Sequence, residues 1–239
     1  MTSLAVFLSY RGDWPESIEL LRQVVSDRES KGVNSELITA VRNLAIALHH
    51  FDRLEEAEQL LNRYIPVALK LFTAEHMQAQ SIKAIRARVW LEQGHATKAV
   101  SELQSVLHVF RKVHPKGHWR IASTLVDEGR GLLSLEKVAE AEAVLAEARN
   151  LYRKYSPPNE YYQAWAECCH AEALAALNRK GEAEKLLLAA EPRLAKLAYC
   201  PKRYYRQVLG TLVKLYTSSG NKEATARWGK KLEENSPGK

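Results

Sequence analysis

Four charged residues recur at one fixed interval along the chain. Arg88, Arg130, Glu172 and Lys214 follow one another at intervals of 42 residues. Three of the four are cations, and arginine and lysine side chains bind carboxylates and phosphates through charge-assisted hydrogen bonds. If the fold repeats with the sequence, these side chains form a ladder of donors along one surface, which would suit an acidic partner.

Catalytic chemistry has no candidate residues in this sequence. His114 and His118 are four residues apart, as two metal ligands on a helix would be, but Pro115 and Gly117 interrupt such a helix. The sequence contains no nucleophile elbow, no phosphate-binding loop and no Ser/His/Asp set. We therefore predict a protein that is not an enzyme and that needs neither a metal nor another cofactor.

The composition is that of a globular protein. Of the 239 residues 46% are hydrophobic and 26% are charged, and the net charge of +7 favours acidic partners. No apolar run approaches the roughly 18 residues that span a bilayer, and no signal peptide is recognisable. We expect a cytoplasmic protein without membrane contact. The three cysteines, Cys168, Cys169 and Cys200, are too few for a disulfide framework and are expected to be buried as small apolar residues.

Short turn segments divide the chain into repeats. They begin at residues 12, 52, 94, 136, 178 and 220, so that the successive spacings are 40, 42, 42, 42 and 42 residues. Mostly small residues stand seven positions before and five positions after each turn, and large residues stand four positions before it. Apolar spacings of three and four on both sides predict two amphipathic helices per repeat. Such a pair must stack on neighbouring pairs to bury its apolar faces.

These columns resemble the motif of tetratricopeptide repeats. The segment Leu209–Tyr216 matches its W-x2-L-G-x2-Y part, with Val213 in place of the glycine, and Ala57–Leu61, Ala141–Leu145 and Ala183–Leu187 match its A-x3-F part. The standard unit has about 34 residues. The 42-residue unit resembles the lengthened repeats of kinesin light chains.

Two segments carry this likeness most fully, Asn43–Glu58 and His118–Glu142. The start of the second segment and the closing stretch Leu212–Leu232 also resemble the C-terminal repeat arrays of bacterial serine/threonine protein kinases. Repeats of the HEAT and armadillo families have similar periods of about 40–47 residues, but the paired small-residue columns favour tetratricopeptide packing.

The resemblance implies an all-α fold, a right-handed α-solenoid of antiparallel helix pairs. Residues 1–234 would form a single repeat domain, with a truncated first repeat followed by five repeats of 40–42 residues, and residues 235–239 a flexible tail. The first repeat begins partway into its motif. This start predicts that the chain is a piece of a larger protein, such as a kinase.

In tetratricopeptide arrays the first helix of each pair lines a concave groove in which extended peptides lie. The resemblance therefore places ten residues on that surface: Arg42, Asn43, His49, His50, Arg88, Glu92, Asp127, Arg130, Glu172 and Lys214. Asn43 matches the asparagine that bonds the backbone of a bound peptide in lengthened arrays, whereas the two-carboxylate clamp of chaperone-binding arrays is not reproduced. A solvated helix face with scattered charges is the alternative interpretation.

The function that follows is the binding of an acidic partner protein or peptide, as a scaffold or as the regulatory array of a larger signalling protein. A sensor array for a signalling peptide is one alternative. Nucleic-acid binding through the basic stretches Arg111–Arg120 and Lys202–Arg206 is another, although we expect both stretches to be ordinary loops between repeats. Self-association through an uncovered apolar face at Leu4, Leu8 and Trp14 is a third.

Overall fold

The computed structural model describes residues 2–11, 13–157 and 159–236, and these residues form twelve helices and no strand. The helices are α1 (Thr2–Arg11), α2 (Trp14–Ser30), α3 (Ser35–His50), α4 (Leu54–Leu71), α5 (Met77–Glu92), α6 (Ala96–Val113), α7 (Trp119–Ser134), α8 (Val138–Lys154), α9 (Glu160–Ala176), α10 (Lys180–Ala195), α11 (Lys202–Ser218) and α12 (Lys222–Glu234). Each odd-numbered helix packs on the even-numbered helix that follows it, and each pair packs on the next pair. The predicted all-α solenoid of helix pairs is confirmed.

The first repeat is the shortest, because α1 has ten residues where α3 has sixteen. At the other end of the chain, Asn235 caps α12 and its side-chain amide donates a hydrogen bond to the Lys231 carbonyl at 2.8 Å. The predicted turn residue Gly12 and the remainder of the predicted tail, Pro237–Lys239, lie outside the described residues.

The turns lie where the 42-residue period predicts them. Five of their first residues have a positive φ angle: Asp52 (63°), Gly94 (82°), Glu136 (59°), Asn178 (61°) and Gly220 (73°). In each case the next backbone N–H donates to the carbonyl five residues earlier, as Lys137 does to Leu132 at 2.9 Å. This is the Schellman arrangement, which ends a helix and satisfies one of its last carbonyls. The large residue four positions before the turn supplies that carbonyl.

The small residues of the two columns are buried where paired helices meet. The residues at 0% exposure are Ala5, Ala45, Ala87 and Ala171 before the turns and Ser17, Ala57, Ala99, Ala141 and Ala183 after them. The approach is close: a Cβ atom built on Gly129 would lie 2.5 Å from Cγ of Leu145. Because Leu145 belongs to the large-residue column nine positions after a turn, the two columns fit one against the other.

The hydrophobic core consists of two clusters that meet at α5. Ile82, Ile85 and Val89 belong to the cluster of the first repeats, whereas Ala87 and Trp90 belong to the cluster that continues to α12. A helix that packs on both sides needs apolar residues around most of its circumference, and α5 has them. This helix therefore joins the two halves of the array.

The turn at Glu136 gives a test of the backbone analysis. Glu136 is exposed and has a φ of 59°, and an L-residue in this conformation costs about 1 kcal/mol relative to glycine. We expect Glu136→Gly to raise the melting temperature by about 2–4 °C, as measured by circular dichroism.

Gly94 provides the matched control. It lies at the equivalent turn, with a φ of 82°, and a Cβ atom there would meet nothing within 4 Å, so only the backbone term changes. Gly94→Glu should lower the melting temperature by a similar amount. A fall in melting temperature for Glu136→Gly would contradict the turn assignment.

Candidate ligand-binding cavity

A cavity of about 380 Å³ lies between the first helices of the repeats. Its walls come from α3, α5, α7, α9 and α11, as the resemblance implies, with added side chains from α2 and α8. Aromatic rings and arginines dominate its lining: Trp14, Trp119, Tyr152, Tyr161, Tyr162, Trp165, Tyr199 and Tyr204, with Arg42, Arg88, Arg120 and Arg130. Such a surface offers flat apolar contacts together with positive charge.

The cavity is enclosed because the sixth repeat reaches back to the second. Arg203, in the first turn of α11, donates to the backbone carbonyl of His49 at 2.6 Å and to the Asp52 carboxylate at 3.0 Å. The neighbouring Tyr204 hydroxyl donates to Glu92 at 2.5 Å, and its ring stacks on Trp165 with centroids 4.5 Å apart. We call these contacts of Arg203 and Tyr204 the closure contact.

The predicted ladder of cations is neutralised within the array. Arg88 donates to both oxygens of Asp127, with distances of 2.7–3.1 Å, and Arg130 donates to Glu92 at 2.8 Å. Burial opposes the charge on Arg88, but the Asp127 carboxylate outweighs it and raises the pKa of Arg88. These side chains hold neighbouring repeats together, so the prediction that the arginine ladder faces a partner is wrong.

The lower end of the ladder lies away from the cavity. Glu172 accepts hydrogen bonds from Gln207 at 2.9 Å and from Thr211 at 3.0 Å, and burial raises the pKa of its carboxyl. Lys214 is exposed. Neither Glu172 nor Lys214 is among the cavity-lining residues. The ladder therefore does not continue as one surface from the third repeat to the sixth.

The adjacent histidines of α3 are buried beside the cavity. His49 is 0% exposed, and burial lowers its pKa from 6.5 to about 4 although Glu92 opposes the shift. Burial also lowers the pKa of His50, whose ring lies 4.9 Å from the ring of Trp14. The Nδ1 atoms of both histidines are buried without a hydrogen-bond partner in the described structure. Both rings are therefore neutral at physiological pH.

Two cavity arginines have no carboxylate. Arg42 donates only to Asn43, at 3.1 Å, and its Nε is buried without a partner among the described residues. Arg120 donates to the Ser81 hydroxyl at 3.0 Å and lies over the ring of Trp119. The sequence analysis placed Arg42 and Asn43 correctly but assigned Arg120 to a basic loop. Its position in the motif segment that begins at His118 could have placed it on a first helix.

Comparisons with known proteins agree with this geometry. The family model described as tetratricopeptide repeat matches residues 1–70, which span the first two helix pairs. A putative kinesin light chain from Podospora anserina, described as having nearly identical TPR-like repeats, is 22% identical over 82% of this chain and 93% of its own, with a TM-score of 0.61. BtubC from P. vanneervenii is 14% identical over 95% of this chain and 89% of its own, with a TM-score of 0.64. The chain is built of tetratricopeptide repeats.

A Rap protein solved with Competence and Sporulation Factor also shares the fold of this tetratricopeptide-repeat array, with 14% identity and a TM-score of 0.73. The alignment covers 97% of this chain and 62% of the Rap chain. The sequence matches none of the curated proteins. The narrower likeness to kinase-associated arrays stays a prediction, since none of these matches bears on it.

The basic stretches of the array are not free loops. Lys202–Arg206 is the first turn and a half of α11, and its members Arg203 and Tyr204 form the closure contact. In the other stretch, Arg111 pairs with Glu147 and Lys112 pairs with Glu75. The expectation that both stretches are inter-repeat loops is thus wrong for the second and only partly right for the first. Their cations are engaged within the chain.

His118 and the corresponding residue of the preceding repeat, His76, cap helices. Each begins a first helix and accepts a hydrogen bond at Nδ1 from the backbone N–H two residues on. The rings of His114 and His118 stack with centroids 4.4 Å apart. Among the described residues, no group of three or more His, Cys, Asp or Glu side chains is placed to hold a metal ion, and no helix is long and apolar enough to cross a membrane.

The predicted apolar face at the start of the array is smaller than expected. Leu8 is 7% exposed and Trp14 lines the cavity, so neither belongs to an open face. Leu4 and Phe7 are the exposed large apolar residues of α1, at 51% and 56%. The larger apolar face predicted for self-association is therefore not present.

The buried His49 predicts a pH dependence of stability. Its folded-state pKa of about 4 lies below the ordinary 6.5, so the folded protein binds fewer protons than the unfolded chain between these values. Stability is retained above pH 6.5 and falls as the pH drops toward 4. From pH 7 to pH 5 we expect a loss of about 2 kcal/mol from this group alone, measured by urea unfolding.

The variant His49→Gln separates this effect from other titrations. Its slope between pH 7 and pH 5 should be smaller than that of the wild type, whatever its absolute stability. Glu92 titrates below its ordinary pKa of 4.5 and therefore outside this window, because His49 and Arg130 overcome the effect of its burial. Equal slopes for the two proteins would refute the assignment.

Proposed function

We propose that this protein binds a peptide, or an extended segment of a partner protein, in the cavity between its first helices. The observation that carries the proposal is the lining of the cavity, where aromatic rings surround a space of about 380 Å³ together with Asn43 and unneutralised arginines. Ligand pockets commonly measure about 300–1,000 Å³ and combine an apolar wall with a few polar groups. The tetratricopeptide-repeat fold generally mediates protein–protein interactions, and families built from it generally bind rather than catalyse.

Asn43 supports a peptide as the ligand. A side-chain amide has both a donor and an acceptor, so it can pair with a peptide backbone whatever the sequence of the peptide. The Asn43 oxygen accepts from Arg42 at 3.1 Å. That bond fixes the amide so that its NH2 group is the part left for a backbone carbonyl. The position agrees with the role that the resemblance assigns to this asparagine.

The closure contact favours a sensor over a passive scaffold as the finer function. Tyr204 and His49 line the cavity and also belong to the contact that joins the second and sixth repeats. A ligand in the cavity would therefore touch the residues that hold the array closed and would change its preferred opening. Rap and NprR, which share the fold, were solved in complex with peptides, NprR with its cognate peptide NprX.

Filling the cavity tests the proposal. Ile46 is a half-buried residue of α3 that lines the cavity, and Ile46→Trp adds bulk there without removing a hydrogen bond. Peptides selected from a random displayed library on the wild-type protein should bind the variant at least tenfold more weakly, as measured by fluorescence anisotropy. The reason is that the added indole occupies the space of the ligand.

Leu188→Trp is the matched control, since Leu188 lies on α10, is 40% exposed and does not line the cavity. Circular dichroism of both variants establishes that they are folded. Selected peptides that bind Ile46→Trp as tightly as the wild type would place the binding surface elsewhere and overturn the proposal.

A further inference from the structure

Arg42 and Arg120 differ from the other arginines of the cavity. Arg88 and Arg130 each bind a carboxylate at 2.7–2.8 Å. Arg42 and Arg120, in contrast, donate only to the neutral side chains of Asn43 and Ser81. Burying a cation without a counter-ion is unfavourable, because water is removed and no opposite charge replaces it. The described chain leaves two guanidinium groups in this condition.

The two guanidinium groups converge on one place. They come from α3 and α7, which pack on opposite sides of α5, and both line the main cavity and a smaller pocket of about 60 Å³ that adjoins it. The residue of α5 at this place is Ser81, whose hydroxyl accepts from Arg120. Because serine is short and uncharged, it leaves space where a carboxylate from α5 would have neutralised the arginines.

Electrostatics give the same picture. Burial lowers the pKa of Arg42, and burial together with the nearby charge of Arg42 lowers the pKa of Arg120. The pKa of Arg130 is raised, because the negative groups around it, Glu92 among them, outweigh its burial. The guanidinium groups of Arg42 and Arg120 therefore repel each other across the pocket, and an anion between them would remove that repulsion.

We infer that Arg42 and Arg120 form an anion-binding site for a carboxylate or phosphate group of the bound peptide. The inference rests on the proposed function, which it deepens by naming the charge of the ligand. The planar guanidinium fork matches both kinds of oxyanion. Trp119 and Tyr162 border the site and exclude water from it. The ladder predicted at Arg88 and Arg130 thus has its functional counterpart at two other arginines.

Inorganic phosphate tests the site without any peptide. Thermal unfolding is followed in 0–50 mM sodium phosphate at pH 7.5, with sodium chloride keeping the ionic strength constant. The melting temperature of the wild type should rise with phosphate. In Arg42→Gln/Arg120→Gln the apparent Kd for phosphate should increase at least tenfold. Without phosphate this variant should melt at the same temperature as the wild type or higher, because the repulsion is gone.

The control variant Arg153→Gln/Lys230→Gln removes the same net charge from two exposed positions and should respond to phosphate as the wild type does. A merely structural role of Arg42 and Arg120 would give a double variant that melts lower than the wild type. That result, an unchanged phosphate response in the double variant, or a wild type insensitive to phosphate would each overturn the inference.

Blocked tripeptides distinguish the two oxyanions. Acetyl-Ala-Glu-Ala-amide, its phosphoserine analogue and its glutamine analogue are titrated into the wild type by isothermal calorimetry. Tighter binding of the glutamate peptide than of the glutamine peptide assigns a carboxylate ligand, and tighter binding of the phosphoserine peptide assigns a phosphate. Equal binding of all three contradicts the site.

The two proposals fail in different ways. If library peptides bind Ile46→Trp unchanged while phosphate still requires both arginines, the peptide cavity is wrong and the anion site stands. If library peptides need the open cavity but bind Arg42→Gln/Arg120→Gln as they bind the wild type, peptide binding stands and the anion site is wrong.

Discussion

The distance between the two helices of each repeat is set by residues with almost no side chain. At Gly129 the approach leaves no room even for a Cβ atom, which would lie 2.5 Å from Leu145. This close contact turns the large residues of both helices outward, toward neighbouring repeats. The first helices then stand side by side, and their polar positions meet in one cavity. The pairing of arginines with carboxylates and the enclosure by α11 both depend on that arrangement.

Much of the fold could be predicted from the sequence because it depends on local spacing. A fixed period located the turns, and the same period placed Ala57 and Ala141 at the helix contact. Positive φ angles at Asp52, Glu136 and Asn178 were not predicted, since only glycine and asparagine signal that conformation clearly. Position, rather than residue type, determines the backbone there.

The candidate site was predicted less well, because its chemistry depends on which repeats face each other. The sequence placed Arg42, Asn43 and His50 at the cavity correctly. It missed the partners of Arg88 and Arg120, which lie 39 residues away at Asp127 and Ser81. Neighbouring first helices meet one turn out of register, so that facing residues are about three fewer than one repeat apart. The closure contact spans 154 residues from Arg203 to His49 and depends on the summed rotation of every repeat, which no local pattern contains.

The shared position of α5 has a consequence for cooperativity. In an open repeat array each unit is stabilised only by its neighbours, so the ends fray independently and the array can come apart at its weakest junction. Here α5 is the junction between two core clusters, while Arg203 ties the second cluster back to the first. The chain of nearest-neighbour couplings is thereby closed into a ring. Separating the halves at α5 requires the closure contact to break as well, and a molecule held in the cavity would add a third connection across the same junction.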